Sequence, residues 1–139
     1  MPKKILHGLD GSAGSFKAFQ EAVELAKCSG AELHTISVEE LPHFPGTIGE
    51  IIEEQAAAKE RFGGAMARAK EIAERSAVPL RSHILGGHPV KTIAEFVKKN
   101  GCDLLVIGFM GHSALYDRVM GSTCQNLVRL APCSVLVVK

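Results

Sequence analysis

Gly108, Gly111, Gly121, Ser122 and Thr123 stand in the pattern G-x2-G-x9-G-S-T near the end of a 139-residue chain. Residues of these types at this spacing could hold an anion. A glycine lets backbone N–H groups approach a phosphate closely, because no Cβ intervenes. Gly121 and Ser122 open a stretch that reads as helix, where free amides and the helix dipole favour negative charge. Ser122 and Thr123 add hydroxyl donors, and Gly108 and Gly111 would bring a second set of amides to the same place. Spacing alone leaves a plainer reading equally open: glycines punctuate loops, and Gly121-Ser122 also suits an ordinary helix start. Two further positions end strand-like runs. Asp10, in Asp10-Gly11-Ser12, either faces a ligand or bonds the local amides of an Asp-Gly turn. Val38 ends the second. His112 and Ser113 lie in the glycine loop, as phosphate contacts or as exposed loop residues.

Other chemistries find no support in the spacing. Gly86-Gly-His-Pro-Val-Lys91-Thr92 lacks the glycine directly before the lysine that a Walker A loop requires. There is no G-x-S-x-G elbow and no readable Ser-His-Asp set. Cys28, Cys102, Cys124 and Cys133 form no CxxC pair, and the six histidines have no HExxH-like spacing. Reduced, mostly buried thiols and no structural metal site are therefore expected.

The elements that would position the glycine loop alternate between two periodicities. Lys4 to Leu9 is a short apolar run closed by the Asp-Gly-Ser turn. Ser15 to Cys28 carries a helical stripe at Phe16, Phe19, Val23 and Ala26, with Gly30 as C-cap. Glu32 to Val38 is strand-like, and Pro42 to Gly49 is irregular, an ordinary connection or a flap carrying His43 and Phe44. Ile51 to about Arg75 is rich in Ala, Glu, Lys and Arg and reads as a helix with one solvated face, which Gly63-Gly64 would bend or interrupt. Leu80 to Leu85 is a third strand, and Pro89 suits the first turn of the helix that ends at Asn100-Gly101. Leu104 to Ile107 is a continuous apolar run, as in a parallel strand covered on both faces. A loop from Gly108 to Gly121, a helix from Ser122 to Leu130 and a strand from Ser134 to Val138 complete the chain. This β-α alternation predicts an open, doubly wound, five-stranded parallel sheet of Rossmann-like α/β class. Such sheets take ligands beyond the carboxyl ends of their strands, where the strand order reverses.

Bulk properties narrow the partners. A length of 139 residues fits one domain, and 46% hydrophobic with 22% charged residues is ordinary globular usage. Sixteen basic residues oppose fifteen acidic ones, for a formal net charge of +1. No lopsided field recruits nucleic acid or an anionic membrane. The chain opens straight into a strand without a signal-peptide run, and no window is apolar enough for a span. A cytoplasmic protein is expected.

The glycine pattern, preceded by DLLVIG and followed by a helix and APCSVLVV, resembles the nucleotide-binding motif of the universal stress protein family. The resemblance runs through nearly the whole chain as one domain, residues 1–139: KILHGLDGS is similar to the first strand and turn, Gly87-His88-Pro89 with Thr92-Ile93 to the lead into the third crossover helix, and Ala131-Pro132-Cys133 to the lead into the last strand. It implies the adenine nucleotide alpha-hydrolase-like fold and an adenine nucleotide as ligand: ATP, or else AMP or ADP. Magnesium or manganese held through the phosphates is left open. Asp10 would lie near the ribose and phosphates, through a metal ion or water. Val38 would meet the adenine by its backbone, and Gly108, Gly111, Gly121, Ser122 and Thr123 would line the ribose and phosphate path. The chain departs from the pattern at Phe109 and Met110, where relatives often carry small polar and basic residues; Phe109 would cover a ligand face or fill an apolar gap. Cys124 replaces a small hydroxyl residue, Ala114 a glycine, and His7 an apolar strand residue. His7 is expected to be a buried neutral histidine with a local partner.

The resemblance places the apolar final strand at a sheet edge, where bare strands invite pairing. A two-fold homodimer through that strand follows as an expectation. The reading is thus an adenine-nucleotide-binding stress-response protein without an assigned catalytic residue. A slow metal-dependent ATPase using Asp10 and a nucleotide-free dimeric partner protein are the alternatives.

Overall fold

The structure is a computed structural model and describes residues 1–40, 47–110 and 120–139, the side chains at 51, 54, 55 and 58 excepted. Five strands and four helices alternate: β1 (Lys4–Gly8), α1 (Ala13–Ser29), β2 (Glu32–Glu39), α2 (Ile48–Arg75), β3 (Leu80–Gly86), α3 (Pro89–Asn100), β4 (Leu104–Gly108), α4 (Ser122–Leu130) and β5 (Ser134–Val138). All the pairings are parallel, in the order β3-β2-β1-β4-β5. The chain winds outward from β1 in one direction, then crosses back and winds in the other. The order therefore reverses between β1 and β4, and the expected α/β sheet is present.

The helix boundaries follow local chemistry. Ser12 caps α1 by accepting from the Ser15 amide, and Gly30 ends it at φ 71°, left-handed backbone that suits glycine. Thr47 caps α2 by accepting from the Glu50 amide. Gly101 at φ 65° closes α3 behind Pro89 in its first turn. Two expectations change. The irregular segment expected up to Gly49 gives way to helix at Ile48; the hydroxyl of Thr47 supplies the start signal. Gly63-Gly64 does not interrupt α2, which runs through both residues for 28 residues. The rest of the expected flap, including His43 and Phe44, lies outside the described residues.

The sheet is buried on both faces. Ile5, Leu33 and Val106 pack under α1 and α2 with Phe19, Val23 and Ala69. Leu6, Ile36 and Leu105 pack under α3 and α4 with Ile93, Val97 and Leu127. Burial of these branched side chains supplies the main driving force, at about 25 cal/mol per Å² of apolar surface. Cys102 and Cys124 are buried, Cys133 is half-buried and Cys28 is exposed, all as free thiols. Burial pushes the Cys102 thiol up to about 11, so it packs as a small apolar group. No helix among the described residues is long and apolar enough to cross a membrane.

Candidate functional site

A cleft of about 900 Å³ opens over the carboxyl ends of the central strands. It lies where the strand order reverses, the usual ligand position in an open α/β sheet. Asp10, Val38, Gly108, Gly121, Ser122 and Thr123 all line it. Residues more than 100 positions apart in the chain thus share one cavity. Gly111, His112, Ser113 and Ala114 lie outside the described residues.

The α4 end of the cleft has the clearest chemistry. Gly121 is the N-cap and offers no side chain, so no side-chain hydrogen bond caps the helix. Its own N–H donates to the Phe109 carbonyl at 3.0 Å. The first intrahelical bond runs from the Gln125 amide to the Gly121 carbonyl. The amides of Ser122, Thr123 and Cys124 therefore have no partner within the helix. With the exposed Ser122 and Thr123 hydroxyls beside them, they form a set of donors on the positive end of a helix dipole.

Val38 is placed by the way β1 leaves the sheet. The last β1–β2 register pair is Gly8 with Ile36, and the Leu9 amide donates to the Ile36 carbonyl. On the other side, Gly87 donates to the Glu39 carbonyl. Backbone groups alternate sides along a strand. Val38 therefore presents its N–H and C=O on the β1 side, just beyond the last paired residue of β1.

Asp10 follows the local alternative at one oxygen. Its Oδ1 accepts from the Ser12 amide at 2.9 Å and from the Ser12 hydroxyl at 2.6 Å. It shapes the turn that presents Ser12 as the α1 cap, and it remains exposed on the cleft. Gly108 also has a structural reason to be glycine. A Cβ there would stand 2.9 Å from both C and O of Gly14, so α1 approaches β4 backbone to backbone.

Of the departures from the motif, Met110 and Cys124 line the cleft and Phe109 does not. Phe109 lines a separate small crevice with Val138 and Lys139, and its ring lies 5.3 Å from the Lys139 ammonium. Its backbone ties β5 to α4, donating to the Val138 carbonyl and accepting from Gly121. Phe109 therefore stands on that crevice rather than over the cleft. Cys124 is buried in the cluster with Leu127 and Ile93, and burial raises its pKa. His7 is buried and neutral as expected, its ring partnered by the Ser15 carbonyl.

Sequence reasoning missed the wall that α2 contributes. Arg61, Phe62, Gly64, Ala65 and Arg68 line the cleft from that helix. Their spacing of 0, 1, 3, 4 and 7 puts most of them on one helical stripe, but nothing local says which way that stripe faces.

An open, doubly wound α/β sheet with a cleft at its switch point and an uncapped helix N-terminus on its rim defines a class of anion- and nucleotide-accommodating folds. The chain belongs to the universal stress protein family, whose model matches residues 1–139. It is 35% identical over 141 residues to a universal stress protein of Methanocaldococcus jannaschii, covering 99% of this chain and 82% of that one. Its fold is similar to that of UspA from Lactobacillus plantarum, with TM-score 0.83, 29% identity and coverage of 99% and 97%. A universal stress protein in complex with cAMP shares the fold at TM-score 0.78 and 23% identity, over 99% and 97%. So do one from Archaeoglobus fulgidus in complex with dAMP (0.66, 20%, over 100% and 98%) and one from Arabidopsis thaliana with AMP bound (0.65, 19%, over 99% and 91%).

Proposed function

We propose that this protein binds an adenine nucleotide, ATP or else ADP or AMP, in the cleft over β1 and β4, as a cytoplasmic single-domain stress-response protein. The observation that carries the reading is the uncapped N-terminus of α4. Three amides without helical partners and two hydroxyls converge on a cavity that also receives the unpaired side of Val38. The phosphate would rest on Ser122 and Thr123, with Gly108, Gly111 and Gly121 lining the path, the ribose near Asp10, and the adenine edge at the Val38 backbone. The cAMP, dAMP and AMP complexes of related folds support the ligand class. No group of three or more His, Cys, Asp or Glu side chains suited to a metal stands among the described residues. Magnesium or manganese would be held through the phosphates. Binding and release would signal through a two-fold dimer paired along β5.

The test is mass spectrometry of the small molecules released when the purified protein is denatured, followed by calorimetric titration with ATP and magnesium. Near one adenine nucleotide per chain, or saturable uptake in the titration, is the expected result. No released nucleotide and no heat of binding would overturn the reading and leave a nucleotide-free partner protein.

A further inference from the structure

Arg61 and Arg68 are two turns apart on α2 and both line the cleft, with Gly64 and Ala65 between them. A Cβ built at Gly64 meets nothing within 4 Å, so the helix surface between the two residues is open at that point. The two arginines differ in their partners. Arg61 is paired with Glu39 at the end of β2. Glu39 is buried, and its second oxygen, Oε2, has no hydrogen-bond partner. Arg61 therefore answers a buried carboxylate and ties α2 to the sheet.

Arg68 makes no ion pair among the described residues. Its guanidinium carbon stands 4.1 Å from the centroid of the Phe16 ring, and Phe16 is itself only 6% exposed on α1. A ring that cannot move holds the guanidinium over its face. An arginine stacked in this way keeps its N–H donors at the edge of its plane, in the fork geometry that suits phosphate oxygens.

The α4 donors are enough for one phosphate. A second and third phosphate would bring more negative charge into a cleft already lined by Asp10 and Glu40. That charge needs a cation, and Arg68 is one that no carboxylate of the described residues already occupies.

We propose that Arg68, held on Phe16, is a second anchor for the phosphate chain and makes the cleft favour di- and triphosphates over AMP. The proposal rests on the nucleotide reading above and adds the group that selects phosphate number. Calorimetric titration with adenosine, AMP, ADP and ATP at fixed ionic strength tests it on the wild type, Arg68→Ala, Arg68→Lys and Lys70→Ala. Lys70 is an exposed cation on the same helix and does not line the cleft. In Arg68→Ala, ATP is expected to bind about 10- to 100-fold more weakly, with AMP and adenosine within about twofold. Arg68→Lys should recover part of the loss, keeping the charge without the fork, and Lys70→Ala should change no ratio. An unchanged ATP-to-AMP ratio in both Arg68 variants overturns the proposal. So does equal weakening of adenosine and ATP, or a loss in Lys70→Ala as large as in Arg68→Ala. If Arg68→Ala fails to fold by circular dichroism, the lysine variant carries the same comparison. A wild type that takes up none of the four ligands overturns the nucleotide reading and this proposal together. A wild type that binds ATP while the Arg68 variants are indifferent overturns this proposal alone.

Discussion

His7 Nε2 lies 2.7 Å from the Ser15 carbonyl. A carbonyl only accepts, so Nε2 carries the hydrogen, and the buried Nδ1 is a lone pair without a partner. Burial holds the pKa down, from 6.5 to about 4. The folded state therefore keeps the ring neutral where the unfolded chain has begun to take up a proton. Stability from this group is complete above pH 6.5 and is lost as pH falls towards 4, by about 3 kcal/mol in all. Urea unfolding of the wild type and His7→Leu at pH 7, 5.5 and 4.5 should show a flatter pH dependence in the variant. Parallel curves would remove His7 as a source of acid sensitivity. Gly108→Ala belongs to the same scale. Its Cβ would meet Gly14 backbone atoms at 2.9 Å, and backbone cannot rotate away. A loss of about 1–3 kcal/mol is expected, read as a lower melting temperature; an unchanged melt would mean that α1 is free to retreat. Gly121→Val is different, because φ −62° and ψ 150° suit a β-branched residue. The fold should survive while nucleotide affinity drops at least about tenfold by steric block over the α4 amides. Equal affinity in this variant would mean that the ligand sits elsewhere.

Among the elements, α2 holds the largest difference between expectation and structure. Its stretch before Phe62 is exposed at every described side chain, which agrees with the solvated face read from its composition. Below that, Phe62, Ala69 and Ala73 are buried, while Arg61 and Arg68 reach the cleft. The two glycines at 63 and 64 are helical, and a Cβ at Gly63 meets nothing within 4 Å. Gly63→Ala should therefore stabilise the protein by about 0.5–1 kcal/mol, through helix propensity and a less flexible unfolded chain. A fall in the urea midpoint would show that the flexibility of this glycine matters to the fold. Gly63 does not line the cleft, so nucleotide affinity serves as an internal control.

At the scale of the molecule, the strand order leaves β3 and β5 as edges. They are not equivalent. β3 carries the exposed Arg81 beside Ser82 and Leu85, whereas Val135 to Val138 of β5 are apolar throughout and only half-buried. A charged edge resists further pairing and an apolar one invites it, which supports β5 as the seam of the proposed dimer. Light scattering at micromolar concentration should give twice the chain mass; a single-chain mass at that concentration would sink the dimer. His34 and His83 stack near the β3 edge, their Nδ1 and Nε2 2.9 Å apart, with Phe96 of α3 beside them. Burial, His34 and Arg81 all lower the His83 pKa.

Much of the architecture is written locally. Apolar alternation, Pro89 in a first turn and the capping glycines at 30 and 101 each act over a few residues, and the periods of strand and helix are set by backbone geometry alone. That is why the β-α order, the limits of α4 and β5, and the positions Asp10, Val38, Gly108, Gly121, Ser122 and Thr123 that line the cleft could be read from the chain. What it could not show depends on pairs distant in sequence. The Gly121 amide is taken by Phe109, Gly108 is glycine because Gly14 crosses it, and Phe109 stands on a crevice beside Lys139. The turn of α2 that carries Arg61 and Arg68 to the cleft was equally hidden. Helical spacing fixes which residues share a face, but only packing against α1 and the sheet decides where that face points. Sequence determined the elements and several positions that line the cleft; the tertiary structure decided which α4 amides lack a helical partner and that α2 brings Arg61 and Arg68 to the same cavity, because hydrogen bonds and ring contacts between distant segments exist only once the sheet has closed.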